Sequence, residues 1–250
     1  MNCITNIVVP MAGLGSRFSK VGFKNPKPLI DVLGEPMISL VVKNLRPSTP
    51  HRFIFICQET HEKEFGLKTY LENIAPGCQV KLINGITDGA ACTVLEASDL
   101  IDLNEPLIIA NCDQYIEASM DNYLNTWHEK NLDGYIMTMK AYEDKWSYVK
   151  LNNYGEVLEV VEKVVISDEA TVGIYNFKKG NDFIVAAKKM IENDLRVNGE
   201  FYVAPVYNML ISDGYKVGVH NIGSCDDTMF GLGTPEDLEE YINQYSGNKN

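Results

Sequence analysis

Short apolar runs alternate along the chain with stretches whose apolar residues recur at helical spacing, and this alternation is its first structural signal. Ile4-Thr5-Asn6-Ile7-Val8-Val9-Pro10 is rich in β-branched residues and closed by Pro and Gly, which predicts a buried strand followed by a loop from Met11 to about Pro28. From Pro36 onward, Met37, Leu40, Val41 and Leu45 share one helical face. Strands are then expected at 53–57, 79–84, 106–110 and 134–141, with helices at 60–72, 90–101 and 119–131 between them. Such alternation predicts a largely parallel sheet with helices on both faces.

After Ala141 the pattern changes. Residues 148–151 and 156–162 read as a hairpin around Asn152-Asn153-Tyr154-Gly155. A strand at 171–177, helices at 181–194 and near 201–212, a strand at 215–220 and a helix opened by Thr234-Pro235-Glu236-Asp237 complete a mixed second half. The tail 246–250 is expected to fray. Without a repeat or a Pro/Ser-rich linker, the 250 residues are expected to form a single domain with halves at 1–145 and 146–245.

Composition narrows the picture. At 45% apolar residues the chain can bury a sizeable core, yet no apolar run approaches the roughly 18 residues of a membrane span. The N-terminus has no basic leader, so a cytoplasmic protein is expected. Six cysteines lie far apart with no C-x-x-C pair, and are expected to be reduced and mostly buried. A net charge of −12 argues against nucleic acid as a partner, because that binding rests on Lys and Arg neutralising phosphates. The sequence leaves a homo-oligomer open.

Against this acidic background, residues 1–30 carry Arg17, Lys20, Lys24 and Lys27 and no acid before Asp31. Gly13-Leu14-Gly15-Ser16-Arg17 follows the first strand, where glycines allow backbone N–H groups to converge on an anion. A tight turn would need glycine for steric reasons as well. The dinucleotide fingerprint G-x-G-x-x-G fails at Phe18, and no helix is expected directly after the loop, which disfavours a dehydrogenase. Arg17 can hold two phosphate oxygens, and Lys27 stands between Pro26 and Pro28, which stiffen its backbone. The four histidines are scattered, without metal or nucleophile spacing.

Met11-Ala12-Gly13-Leu14-Gly15-Ser16-Arg17-Phe18, followed by Pro26-Lys27-Pro28-Leu29-Ile30, resembles the signature of the sugar-nucleotide pyrophosphorylases and related nucleotidyltransferases, small cytidylyltransferases among them. The resemblance runs from Val8 to Leu238 and implies a three-layer α/β/α, Rossmann-like (GT-A-like) fold with a central mixed, mostly parallel sheet. It implies a nucleotide-binding first half and an acceptor-binding second half. Ala12, Gly13, Gly15 and Ser16 would embrace a nucleoside triphosphate, with Arg17 and Lys27 as its catalytic cations. Asp88-Gly89-Ala90-Ala91-Cys92-Thr93 looks like the family's base-binding segment, so Gly89 and Ala90 would contact the nucleobase, although small residues also suit an ordinary helix start.

Asp113 ends the strand Leu107–Ala110 at the sheet's carboxyl edge and is the leading Mg²⁺ ligand, with a solvated loop acid or helix cap as the plainer reading. Glu162, Lys163, Gly173 and Glu200 fall in segments resembling acceptor-binding ones, with Lys163 as a third catalytic cation, though Glu162 and Lys163 also suit an exposed cross-strand ion pair. Where many members carry a second acid before Gly-Thr, this chain has Gly231; Asp226 or Asp227 could compensate, or simply cap a turn. The resemblance implies Mg²⁺-dependent joining of an NTP to a phosphorylated small molecule, foremost a sugar 1-phosphate, with release of pyrophosphate, in nucleotide-sugar and surface-glycan precursor synthesis. A cytidylyltransferase acting on a phosphocholine-like acceptor, a GT-A glycosyltransferase and a non-catalytic nucleotide-sugar-binding regulatory subunit are the alternatives.

Overall fold

The computed structural model describes residues 3–246. β1 (Thr5–Pro10) runs through the glycine loop into α1 (Ser16–Lys20), and a 3₁₀ turn at Lys27–Leu29 precedes a hairpin of β2 (Asp31–Val32) and β3 (Glu35–Pro36). Then follow α2 (Met37–Leu45), β4 (His51–Gln58), α3 (Glu59–Phe65), α4 (Leu67–Ile74), β5 (Gln79–Ile83), α5 (Ala90–Leu95), β6 (Leu107–Ala110), β7 (Gln114–Ile116) and α6 (Met120–Lys130). The remainder is β8 (Gly134–Lys140), β9 (Ser147–Leu151), β10 (Val157–Glu162), β11 (Glu169–Phe177), α7 (Gly180–Glu192), α8 (Val206–Ser212), β12 (Val217–Ser224), β13 (Met229–Gly231) and α9 (Pro235–Ser246).

A nine-stranded sheet has the order β10-β9-β11-β6-β1-β4-β5, with β8 pairing β11 and β12, and it crosses residue 145 without a break. β1 lies parallel to β4 and β6, and β4 to β5; direction reverses between β6 and β11. Alternate residues of β1 point to opposite faces. Ile7 and Val9 join a core with Val41 of α2 and Trp127 of α6. Val8 joins a second core with Val94 of α5, Ala187 of α7 and Leu210 of α8. Two cores, one on each side of a mixed and largely parallel sheet, make the expected three layers.

Several elements depart from the sequence pattern. The helix expected at 60–72 breaks at Gly66, which adopts a left-handed φ of 62° and donates its N–H to Glu62 O, while Leu67 and Leu71 are held in the core beyond it. α5 stops at Leu95, and α8 starts only after Pro205. A helix does follow the glycine loop directly: α1 begins at Ser16, because Gly15 O receives the N–H groups of Phe18 and Ser19. Phe18 is only 1% exposed and packs edge-on against Phe23, so it anchors the loop in the core instead of clearing room for a dinucleotide. All six cysteines are free, but only Cys57 is fully buried, and Cys3 is exposed. Of the tail expected to fray, Ser246 closes α9 and residues 247–250 lie outside the described residues.

Candidate functional site

Parallel strands β1, β4, β5 and β6 all end at one edge of the sheet, so the loops that leave them gather there beside the point where strand direction reverses. A chamber of about 420 Å³ opens among these loops. Ala12, Gly13, Gly15, Ser16, Arg17, Lys27, Gly89, Ala90 and Asp113 all line it, as does Glu200. Glu200, expected on the acceptor side, thus stands with the residues expected to bind the nucleotide.

Local geometry explains why the cationic motif has two parts. A Cβ on Gly15 would lie 3.2 Å from Lys27 Cβ, so the glycine turn and the Lys27 segment pack directly on each other. The 3₁₀ turn after Pro26, closed by Leu29 N–H to Pro26 O, then sends the Lys27 ammonium to the Asp113 carboxylate. Burial is the largest single influence and works against that ammonium, but the Asp113 charge, the neighbouring Cys112 and the hydrogen bond to Asp113 together outweigh it and hold the Lys27 pKa above its ordinary value. Arg17 has no ion-pair partner among the described residues.

Gly89 carries φ 117°, and a Cβ there would meet Phe201 O at 2.5 Å and Phe201 N at 2.6 Å. The chain at 199–203 is laced onto this point by Phe201 N–H to Asp88 O and Ala91 N–H to Phe201 O, which is what brings Glu200 into the chamber. Gln58, at the end of β4, donates from one buried amide to Ala12 O and to Gly85 O, both at 2.7 Å, tying the glycine loop to the loop before Gly89.

A second chamber of about 410 Å³ adjoins the first and shares Arg17, Ala90, Asn111, Asp113 and Gly233 with it. Glu162, Lys163 and Gly173 line this one. Glu162 is 6% exposed and accepts a hydrogen bond from Ser147 Oγ; burial pushes its carboxyl up, against the opposing pull of that bond and of Lys163. It is therefore no exposed partner of a surface ion pair. Lys163 donates to Tyr202 Oη at 2.7 Å.

Asp226 and Asp227 line neither chamber. They sit in the turn between β12 and β13, where Asp226 adopts φ 63° and Asp227 is exposed. Besides Asp113 and Glu162, the second chamber is lined by Asp237, in the first turn of α9, whose Oδ2 lies 3.6 Å from where a Cβ on Gly231 would stand. Sequence reasoning also missed Gln58, Asn111, Gln114 and Gly233. Asn111 and Gln114 flank Asp113 within Asn111-Cys112-Asp113-Gln114, so adjacency was the signal for both; Gly233 is the glycine of the Gly-Thr after Gly231, so that motif was its signal, and Gln58 carried none.

A glycine loop at the carboxyl edge of the central sheet, where open α/β sheets take their ligands, lines one chamber, and Arg17 and Asp113 join that chamber to a second. The profile of the nucleotidyl transferase family matches residues 7–220, and the chain belongs to that family. Bifunctional protein GlmU of Thermodesulfovibrio yellowstonii is 22% identical, covering 93% of this chain and 50% of its own. The chain thus spans about half the length of that relative. UTP–glucose-1-phosphate uridylyltransferase AglF of Haloferax volcanii is 23% identical, with 93% of each chain covered. Among solved structures, a nucleoside-diphosphate-sugar pyrophosphorylase from Vibrio cholerae RC9 superposes with a TM-score of 0.82 at 25% identity, covering 95% of this chain and 100% of the other. No helix among the described residues is long and apolar enough to cross a membrane.

Proposed function

We propose that this chain transfers a nucleotidyl group from an NTP to a phosphorylated small molecule, foremost a sugar 1-phosphate, releasing pyrophosphate. The observation that carries the reading is the shared wall of the two chambers, where Arg17 and Asp113 face both spaces and Lys27 pairs with Asp113. An NTP in the first chamber presents its α-phosphorus at that wall, and an acceptor in the second brings its phosphate oxygen to it. The oxygen forms a new O–P bond as the bond to the β-phosphate oxygen breaks, so no covalent enzyme intermediate is needed. Positioning and charge neutralisation supply the catalysis.

Glycine-loop N–H groups and Arg17 hold the triphosphate, Lys27 neutralises the oxygens around the α-phosphorus, and Lys163 orients the acceptor phosphate. Among the described residues, no cluster of three or more His, Cys, Asp or Glu side chains is arranged to hold an ion by itself. One half-buried carboxylate facing a triphosphate site does fit Mg²⁺ that arrives with the nucleotide, since that ion takes one or two carboxylates and fills its shell with phosphate oxygens and water. Asp113 would hold it, with Asp237 the nearer candidate for a second acid than Asp226 or Asp227. When bound, the ion would withdraw charge from the phosphoryl oxygens.

AglF's name pairs UTP with glucose 1-phosphate, which supports a sugar phosphate as acceptor and a place in nucleotide-sugar supply. The test incubates the purified protein with Mg²⁺, each NTP and a panel of phosphorylated acceptors. Acceptor-dependent pyrophosphate release is expected. Nucleotide binding with no turnover under any pairing would reject the reading in favour of a regulatory subunit, and consumption of a finished nucleotide-sugar in favour of a glycosyltransferase.

A further inference from the structure

β4 lies between β1 and β5 in the sheet, and the loops that leave those two strands both line the first chamber. From β1 the chain runs into Ala12 and the glycine turn, and from β5 into Ile86, Thr87 and Gly89. Beyond the strand ends the backbone carbonyls leave the ladder and need other partners. Gln58, the last residue of β4, meets one on each side. It is 4% exposed, and its Nε2 donates to Ala12 O and to Gly85 O, each at 2.7 Å. A primary amide nitrogen carries two protons, so one group serves both carbonyls; among neutral side chains only asparagine, one methylene shorter, offers the same pair.

The far end of the second loop is held separately, by Phe201 N–H to Asp88 O at 2.7 Å, so the Gly85 end is the one that Gln58 controls. Gln58 lines neither chamber and can act on a ligand only through the two loops. Under the transferase reading an NTP spans them, its triphosphate at the glycine turn and its base at Gly89 and Ala90. For such a ligand the second contact is intramolecular, at an effective concentration set by how well the loop spacing matches the molecule. A fragment that uses one loop gains nothing from the spacing.

Resting on that reading, we infer that Gln58 is a positioning residue for the NTP: its single amide fixes the spacing between the loop that takes the triphosphate and the loop that takes the base. It touches no substrate, and the acceptor half of the reaction does not depend on it.

The test measures binding to the full chain in Mg²⁺ by calorimetry, for the preferred NTP, the matching nucleoside and inorganic tripolyphosphate. Gln58→Met is close in shape but lacks the donors. It is expected to weaken NTP binding by about 5- to 30-fold, the effect of one or two lost hydrogen bonds, while binding of each fragment changes by less than about twofold. In turnover, KM for the NTP should rise by a like factor, and kcat at saturating NTP should fall far less. A uniform loss across all three ligands, as a merely structural role would give, overturns the inference, and so does an unchanged NTP affinity. Should Gln58→Met not fold, Gln58→Asn keeps the amide but shortens its reach; it should show the same selective loss, and the same two outcomes overturn the inference.

Pyrophosphate release separates this inference from the reading beneath it. Selective loss of NTP affinity in the variant, with no release by wild type from any acceptor, sinks the transferase and leaves Gln58 as the spacer of a nucleotide site. Acceptor-dependent release by wild type, with losses in the variant equal across NTP, nucleoside and tripolyphosphate, sinks Gln58 and leaves the transferase.

Discussion

Replacing Lys27 by Met separates what the Lys27–Asp113 pair contributes to stability from what it contributes to chemistry. The two side chains are 20% and 23% exposed, so the pair is largely but not wholly removed from water. Breaking a fully buried pair by deleting one partner costs about 3–5 kcal/mol, because a charge is left without compensation; with a fifth of each group in solvent, roughly 1–2 kcal/mol is the reasonable share. For a chain of 250 residues that corresponds to a fall in Tm of about 3–6 °C. Lys27→Met with Asp113→Asn removes both charges and should regain most of that loss, whereas kcat should fall by about 10²–10³ in the single variant and stay low in the double. The Lys27 pKa is raised in the fold, so the pair's stabilisation is fully present below the ordinary lysine value of 10.5 and is lost only as pH rises through the folded value. Calorimetry and pyrophosphate release at neutral pH check the cycle. Wild-type turnover in Lys27→Met, or a double variant no more stable than the single, would refute the reasoning.

Gly89→Ala should lose about 2–5 kcal/mol in urea denaturation, from left-handed strain and collision with the Phe201 backbone, whereas Gly155→Ala, with φ 78° and open space around it, should lose only about 1 kcal/mol; equal losses would mean the Phe201 crossing is not rigid. Glu162 has a raised folded pKa, so the folded state holds its proton longer and stability falls as pH climbs from the unfolded value of about 4.5 through the folded one. Glu162→Gln should accordingly gain in Tm relative to wild type between pH 4 and pH 7 while losing acceptor turnover, and a pH-independent difference would count against a buried carboxylate. Asp237→Asn should raise the Mg²⁺ concentration for half-maximal activity by about tenfold, with Asp226→Asn and Asp227→Asn near wild type; a shift in either of those two instead would return the second acid to the β12–β13 turn.

What the sequence by itself determined is whatever short-range physics writes along the chain. Ile7, Val8 and Val9 are apolar on both faces because their strand lies between two cores, and such a run is readable without knowing its neighbours. The glycine turn and Lys27 with its two prolines were likewise visible, because backbone conformation there is set by residue type. Gly66 cut a helix that apolar spacing had drawn as continuous, and Gly15 started one where none was expected, since a cap outweighs periodicity at an element's end.

The tertiary structure alone decided which distant groups meet. Lys27 and Asp113 pair across 86 positions, a contact no local pattern encodes. Glu200 entered the first chamber because Phe201 is bonded to the segment around Gly89, and Gly89 fits there only because it lacks a Cβ. Asp237, not Asp226 or Asp227, reached the second chamber, since α9 turns its first residues toward Gly231 while the β12–β13 turn points its acids to solvent. The chain's short-range code fixed the glycine loop, and the sheet's crossing connections, which bring residues from separate segments to one edge, fixed what stands opposite it.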